Sequence, residues 1–311
     1  MGSDDSDVVC SLIGVEVTAS ELIAVCLTDD GGSVASERVA VDASDESISD
    51  LVRFIDKLNS DYGPIRRVGV AVPGLIRRDT GRVAYSARIP GHAGIDIVSR
   101  IHAATKLEAV IENDANAAAY AEYKLGAGRG SRHMFYATIG SGVGGAFIID
   151  GRIWHGAAGF AGEFGYVAVN SDGMRLEEVA SAENIVRRTQ SRFHQDNTSS
   201  LNRIGEQAIS ISDILTAAVN DDDFARLMLE RTGTYVGTAI ASVINLLNIE
   251  TIVVGGPTMQ AGNVVLNSVI RSAKELSFGP SFESTLILAG ELGELAPATG
   301  AALLAGEARS G

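Results

Sequence analysis

Cysteine is nearly missing from this chain, with two in 311 residues. Cys10 and Cys26 fall on neighbouring predicted strands and belong to no metal-like cluster. Two buried thiols in a reducing compartment are the favoured reading over a disulfide. Positive charge is also short: 25 Lys and Arg stand against 39 Asp and Glu, a net charge of −14. Binding to phosphate backbones or anionic membranes draws on Lys and Arg, so neither nucleic acid nor a membrane is an expected partner. No apolar run approaches the ~18 to 20 residues of a membrane helix. The opening MGSDDSD lacks the basic and apolar regions of a signal peptide. A soluble, cytoplasmic protein is therefore expected, with the acidic opening a frayed tail outside the fold. Proline is scarce, 6 against 35 glycines, which points to tight turns and close backbone approach rather than flexible linkers. What the chain does have is 46% hydrophobic residues, enough for packed cores. At roughly 150 residues per domain its length suggests two of them.

The order of patterns along the chain occurs twice. In the first half, Val8 to Val17 and Glu21 to Val41 read as three strands, with Asp-Gly-Gly chemistry at the turn Asp29 to Gly32. Ile48, Leu51, Val52, Ile55 and Leu58 then recur at helical spacing, with Ser44 as candidate N-cap and Asp45 and Glu46 in the first turn. RVGVAVPG (Arg67 to Gly74) is a continuous apolar run of the kind found in a fully buried strand. In the second half, His133 to Gly156 again reads strand, Gly-rich turn, strand, Asp150-Gly151 turn, strand. Val236 to Leu247 is predicted to be a buried helix, and TIVVGGP (Thr251 to Pro257) mirrors RVGVAVPG. A short strand and a small-residue helix follow in each half: AVIENDANAAAYAE (Ala109 to Glu122), then TLILAG (Thr285 to Gly290) with PATGAALLAG (Pro297 to Gly306). Two related α/β halves predict an interdomain cleft, the usual place for a small ligand.

Several segments carry candidate chemistry. TIGSGVGG (Thr138 to Gly145) sets Gly140, Gly142, Gly144 and Gly145 between two strands beside the hydroxyls of Thr138 and Ser141. Such a turn lets backbone N–H groups converge on a phosphate, or else its glycines serve a hairpin that needs positive φ. It precedes a strand, so neither a Rossmann fingerprint nor a Walker A site fits. Asn113 and Asp114 stand where a strand meets a helix. Asp114 either caps that helix or, at the carboxyl end of a strand, accepts the proton of a substrate hydroxyl that attacks a phosphoryl group. Glu163, in GFAGEFGY (Gly159 to Tyr166), is either a sugar-hydroxyl acceptor or an ordinary exposed loop residue. Glu177, in RLEEVAS (Arg175 to Ser181), is equally open, since a helix-starting Glu paired with Arg175 needs no further role. Trp154 and the five His residues show no ligand-like spacing and are assigned to packing or surface.

Taken in order, VGVAVPG, RIPG (Arg88 to Gly91), ENDANAAAYAE, LGAGRG (Leu125 to Gly130), TIGSGVGG, AGEFGY, VVGGP and ATGAA (Ala298 to Ala302) resemble the ROK family. That family comprises sugar kinases and sugar-responsive repressors, and the likeness covers essentially the whole chain after the tail. The resemblance implies a two-domain actin-like ATPase fold of the ribonuclease H-like kind, divided here as 1–113 plus 297–311 and 114–296. It implies Asp114 as general base for a sugar hydroxyl, with Asn113, Glu163, Tyr166 and Glu177 binding the sugar. It further implies Ser20, Thr138, Gly140, Ser141 and Gly142 as phosphate contacts, Gly255 and Gly256 near the adenosine, ATP with Mg²⁺, and a homodimer.

Two departures from the family pattern stand out. Members that hold a structural zinc carry a His where this chain has Tyr166, and three Cys just downstream, where Asp172 to Glu178 has none, so no zinc is expected. The first phosphate motif of the family's kinases, Asp-x-Gly-Gly-Thr, is here Glu16, Val17, Thr18, Ala19 and Ser20. Side chains at Thr18 and Ala19 are expected to crowd the turn and lower ATP affinity. The leading expectation is an ATP-dependent hexose kinase, glucokinase-like. The alternative is a non-catalytic sugar-binding sensor or effector domain, although the roughly ten residues before the first strand are expected to be too few for a winged helix-turn-helix.

Overall fold

The computed structural model describes residues 10–41, 47–86 and 89–308. In chain order the strands and α-helices are β1 (Leu12–Val17), β2 (Glu21–Leu27), β3 (Ser33–Ala40), α1 (Ser47–Tyr62), β4 (Arg67–Val72), β5 (Leu75–Arg77), β6 (Arg82–Tyr85), α2 (Ile97–Thr105), β7 (Glu108–Asn113), α3 (Asp114–Lys124), β8 (Met134–Ile139), β9 (Val143–Ile149), β10 (Arg152–Ile153), α4 (Glu177–Ala180), α5 (Ala182–Gln190), α6 (Ile211–Val219), α7 (Asp223–Leu247), β11 (Thr251–Gly255), α8 (Asn263–Leu276), α9 (Gly279–Glu283), β12 (Leu286–Ala289) and α10 (Ala296–Glu307). The chain divides into two compact units, Met1–Arg129 with Ile153–Ala161 and Glu294–Gly311, and Gly130–Arg152 with Gly162–Gly293.

The first unit is built on a sheet of order β3-β2-β1-β4-β7. β1 pairs antiparallel with β2 and parallel with β4, which in turn pairs parallel with β7. β1 and β4 are covered on both faces, as their unbroken apolar runs require. Helix α1 turns Ile48, Leu51, Ile55 and Leu58 into the core. Its expected cap and acidic turn, Ser44 to Glu46, lie outside the described residues, as do the opening tail and Arg88. Cys10 and Cys26 are buried and both free.

Close packing by small residues sets the rest of this unit. A Cβ on Gly14 would stand 1.8 Å from Ala298 O, one on Gly69 1.9 Å from Ala301 O, and one on Gly300 1.7 Å from Ala117 O. The glycines let α10 lie directly on β1, β4 and α3. This is also why residues 114–129 belong to the first unit rather than the second, where the sequence placed them: α3 packs along α10.

The second unit repeats the topology, with a sheet of order β10-β9-β8-β11-β12. β8 pairs antiparallel with β9 and parallel with β11. Asp150 and Gly151 take φ of 49° and 75°, the two positive values that a tight two-residue hairpin turn needs. Helix α7 corrects the expected span of 236–247. It begins at Asp223, behind the cap Asp222, whose side chain accepts from Ala225 N. Arg226, Glu230 and Arg231 interrupt the apolar pattern of this first half, so periodicity alone does not mark it. Burial ends at Ile244, leaving Leu246 82% exposed. Gly233 and Gly237 seat α7 on α8, since a Cβ there would lie 2.6 and 2.4 Å from Val265 O and Val269 O. Among the described residues no helix is long and apolar enough to cross a membrane.

Candidate active site

In the first unit β7 ends at Asn113 and α3 begins at Asp114, and the structure separates their duties. Asn113 is the N-cap: its backbone is extended, with φ −63° and ψ 144°, and its side chain accepts from Asn116 N at 3.1 Å. Asp114 therefore stands at the first helical position without having to cap. Its Oδ1 accepts from Asn113 Nδ2 at 2.9 Å and from Ala115 N at 2.8 Å. Asn113 Nδ2 also donates to Gly74 O at 3.0 Å. Two N–H groups thus fix the direction of this carboxylate at the start of α3.

Glu112, one residue earlier, is 7% exposed and was not singled out by the sequence. Burial raises its carboxyl, but the His155 hydrogen bond and charge, Asn116 and the Asn113 N–H outweigh that and hold it below the usual carboxylate range. His155 Nε2 lies 2.8 Å from Glu112 Oε2. This corrects the assignment of every His to packing or surface. Glu112 and His155 are 43 residues apart in sequence, a spacing no local pattern reveals.

At the far end of β1, Glu16 is partly buried. Burial, then the charges of Asp114 and Glu21, push its carboxyl up to about 8, against the pull of Arg38. Thr18 bonds within the turn that follows. Its Oγ1 accepts from Glu21 N at 3.0 Å and, more weakly, from Ser20 N at 3.3 Å, while donating to Glu21 O at 2.9 Å. Two N–H groups at the turn are thus already satisfied by the chain itself.

The corresponding turn of the second unit is different. None of Gly140, Gly142, Gly144 and Gly145 takes a positive φ, so the hairpin explanation for these glycines fails. Gly140 and Gly145 serve close approach instead. A Cβ on Gly140 would meet Pro257 Cδ at 3.1 Å, and one on Gly145 would meet the Phe135 and Phe164 side chains. Gly140 N donates to Gly142 O and Gly140 O accepts from Ala182 N. Ser141 is exposed at the tip. Pairing of β8 with β11 sets Thr138 opposite Gly255. Gly256, at φ 89°, then passes so near that a Cβ would be 2.6 Å from Thr138 Oγ1 and Ile139 O. Gly255 has a packing reason of its own, because the Tyr136 phenol fills the space of its missing Cβ.

The remaining candidates of the second unit gather at the start of β9. Glu177 opens α4, and its Oε2 accepts from Val143 N at 3.0 Å. The carboxylate that meets Arg175 is the next one, Glu178, which accepts from Arg175 N. Glu163 and Tyr166 lie on a 3-10 turn at Phe164–Tyr166, and the Glu163 side chain does not cap it. Both are exposed, with the Arg175 guanidinium 4.5 Å over the Tyr166 ring. Gly165 allows the turn to close on β9, since a Cβ there would be 2.5 Å from Val143 O.

The sequence profile of the ROK family matches residues 12–308. This chain belongs to the ROK family. A glucokinase of Halalkalibacterium halodurans is 34% identical over 251 residues, covering 77% of this chain and 73% of that protein. The crystal structure of a ROK family glucokinase from Streptomyces griseus, in complex with glucose and AMPPNP, superposes with a TM-score of 0.86 at 25% identity, covering 96% of this chain and 99% of that one. A xylose repressor of Bacillus spizizenii is 26% identical over 306 residues, covering 93% of this chain and 75% of the repressor. The two units are thus the duplicated α/β halves of the actin-like ATPase fold, on a family scaffold that kinases and regulators share.

Proposed function

We propose that this protein is an ATP-dependent hexose kinase, glucokinase-like, with Asp114 as its general base. One observation carries the reading: Asn113 takes the cap, which leaves Asp114 at the carboxyl end of a parallel strand with one oxygen fixed by two N–H groups. Asp114 accepts the proton of a sugar hydroxyl as that oxygen bonds to the γ-phosphorus and the bond to the β-phosphate bridge breaks, releasing ADP. Asn113, Glu163, Tyr166 and Glu177 supply sugar hydrogen bonds. Thr138, Gly140, Ser141 and Gly142, with Gly255 and Gly256, supply the nucleotide surface of the second unit, and Ser20 a contact from the first. No group of three or more His, Cys, Asp or Glu able to hold a metal ion occurs among the described residues. A Mg²⁺ riding on the triphosphate would need only one or two carboxylates from the chain. When bound it would neutralise charge on the phosphates.

A second reading has its own support in the Thr18 hydroxyl, which satisfies turn N–H groups that a phosphate would otherwise use. It makes the chain a sugar-binding sensor without turnover. A coupled assay of ADP release across glucose, fructose, mannose and their N-acetylamino derivatives tests the kinase reading, which fails if no sugar stimulates turnover. Thermal shift separates the two: a kinase is stabilised by both sugar and Mg-ATP, a sensor by sugar alone.

A further inference from the structure

The buried carboxylate beside the proposed base is a hub, and neither the proton transfer nor the sugar contacts use it. Glu112 Oε1 accepts from Asn113 N at 2.9 Å and from Asn116 Nδ2 at 3.0 Å. Its other oxygen, Oε2, faces His155 Nε2 at 2.8 Å, with Arg78 Nη1 at 3.8 Å. A charged carboxylate only accepts, so His155 carries its hydrogen on Nε2. The two bonds that Glu112 Oε1 accepts lead toward Asp114. Asn116 N is the donor to the Asn113 cap, and Asn113 Nδ2 is one of the two donors that fix Asp114 Oδ1.

The backbone of His155 is anchored as well. Its carbonyl accepts from Ala161 N, which folds 155–161 into a closed loop. Gly159, at φ 96°, sets that loop against β5, where a Cβ would be 2.5 Å from Ile76 O. An imidazole anchored this way presents one donor to a carboxylate that is almost wholly out of water. Leaving a buried carboxylate without its partner is costly, so the two side chains fix each other.

We propose that Glu112 and His155 form a positioning pair for the Asn113–Asp114 corner, setting the register of the cap and the direction of the base. The inference rests on Asp114 being the base. Neither residue touches the sugar; they act through Asn113 and Asn116. A base displaced by an ångström loses on the order of 10²-fold in rate, so the pair should be visible in turnover.

The test compares the wild type with Glu112→Gln, His155→Ala and His155→Gln, measuring kcat, KM for sugar and for ATP, and thermal midpoint. Glu112→Gln and His155→Ala are expected to lower kcat about 10- to 100-fold and to raise the sugar KM, leaving the ATP KM in place. His155→Gln, whose amide can still donate to Glu112, is expected to stay within about fivefold of the wild type. Folded Glu112→Gln and His155→Ala proteins with wild-type kcat and sugar KM would overturn the proposal, and so would a His155→Gln no better than His155→Ala. If Glu112→Gln does not fold, the two His155 variants decide. If the wild type shows no transfer, the kinase reading falls and the pair is judged by glucose calorimetry. Weaker binding by His155→Ala than by His155→Gln then supports the pair, and equal binding contradicts it. A wild type that binds none of the sugars contradicts both.

Discussion

The two units carry the same hairpin at the same place in the same strand order, yet their turns differ. Between β8 and β9 the turn is glycine at Gly140 and Gly142, with an exposed Ser141 at the tip. Between β1 and β2 it is Val17 to Ser20, and the Thr18 hydroxyl bonds to Ser20 N and Glu21 N. Duplication of a topology therefore does not duplicate the hydrogen bonding of its turns. A turn offers its N–H groups to a phosphate only if no side chain of its own accepts from them. In the second unit Gly140 N donates to a backbone carbonyl, Gly142 O, whereas in the first the Thr18 hydroxyl takes two turn N–H groups.

The largest expected effect falls on Gly256, which packs against the strand end that leads into the glycine turn. Gly256→Ala puts a Cβ 2.6 Å from Ile139 O at a φ of 89°, so both space and backbone oppose it. A cost of about 2 to 3 kcal/mol in stability is expected, read by chemical denaturation. Mg-ATP affinity should fall with it, by roughly tenfold in titration calorimetry. An unchanged midpoint would mean that this approach is looser than described and would blur the contrast between the turns.

Next in size is opening the turn between β1 and β2. Thr18→Gly with Ala19→Gly removes the hydroxyl and both side chains, and Mg-ATP should bind about three- to tenfold more tightly. Thr18→Val retains the bulk and removes only the hydroxyl, so it separates crowding from occupied N–H groups. No gain from either variant would show that the two turns are equivalent toward the nucleotide.

The smallest effect is one of pH. Glu16 and Glu112 flank Ala71 on one row of the first sheet and are shifted in opposite directions. The Glu16 pKa is raised to about 8, so the folded state holds a proton that the unfolded chain gives up near its ordinary value of 4.5. Stability linked to Glu16 therefore declines as pH rises from about 4.5 to about 8 and is level above that. Glu16→Gln should gain midpoint on the wild type across this window, followed by thermal melts at stepped pH. Glu112 has the other sign: its depressed pKa gives stability that is present at neutral pH and lost as pH falls through its folded value. A constant gap between wild type and Glu16→Gln would remove the burial assigned to Glu16.

The fold was legible wherever the pattern was local. Ile48, Leu51, Ile55 and Leu58 marked α1, the apolar run marked β4, and Asp150-Gly151 marked a hairpin turn. The first half of α7 was not legible, because Arg226, Glu230 and Arg231 hide its apolar face, and its start rests on Asp222 as cap. The site was legible as motifs but not as duties. Asn and Asp are both good caps, so the sequence cannot say which of Asn113 and Asp114 serves; only the backbone of Asn113 decides. Glu112 and His155 meet across 43 residues, and the Thr18 bonds depend on a rotamer. Neither leaves a trace in composition or spacing.

The central claim, phosphoryl transfer to a sugar with Asp114 as base, is tested most directly by following sugar and Mg-ATP with the wild type and Asp114→Asn in ³¹P NMR. Asn keeps the shape of the side chain and removes the base. The account predicts a sugar-phosphate resonance that grows with the wild type and, with Asp114→Asn, grows at least about 10²-fold more slowly while sugar binding persists. Equal rates from the two proteins, or intact ATP with a wild type that binds both ligands, would contradict it.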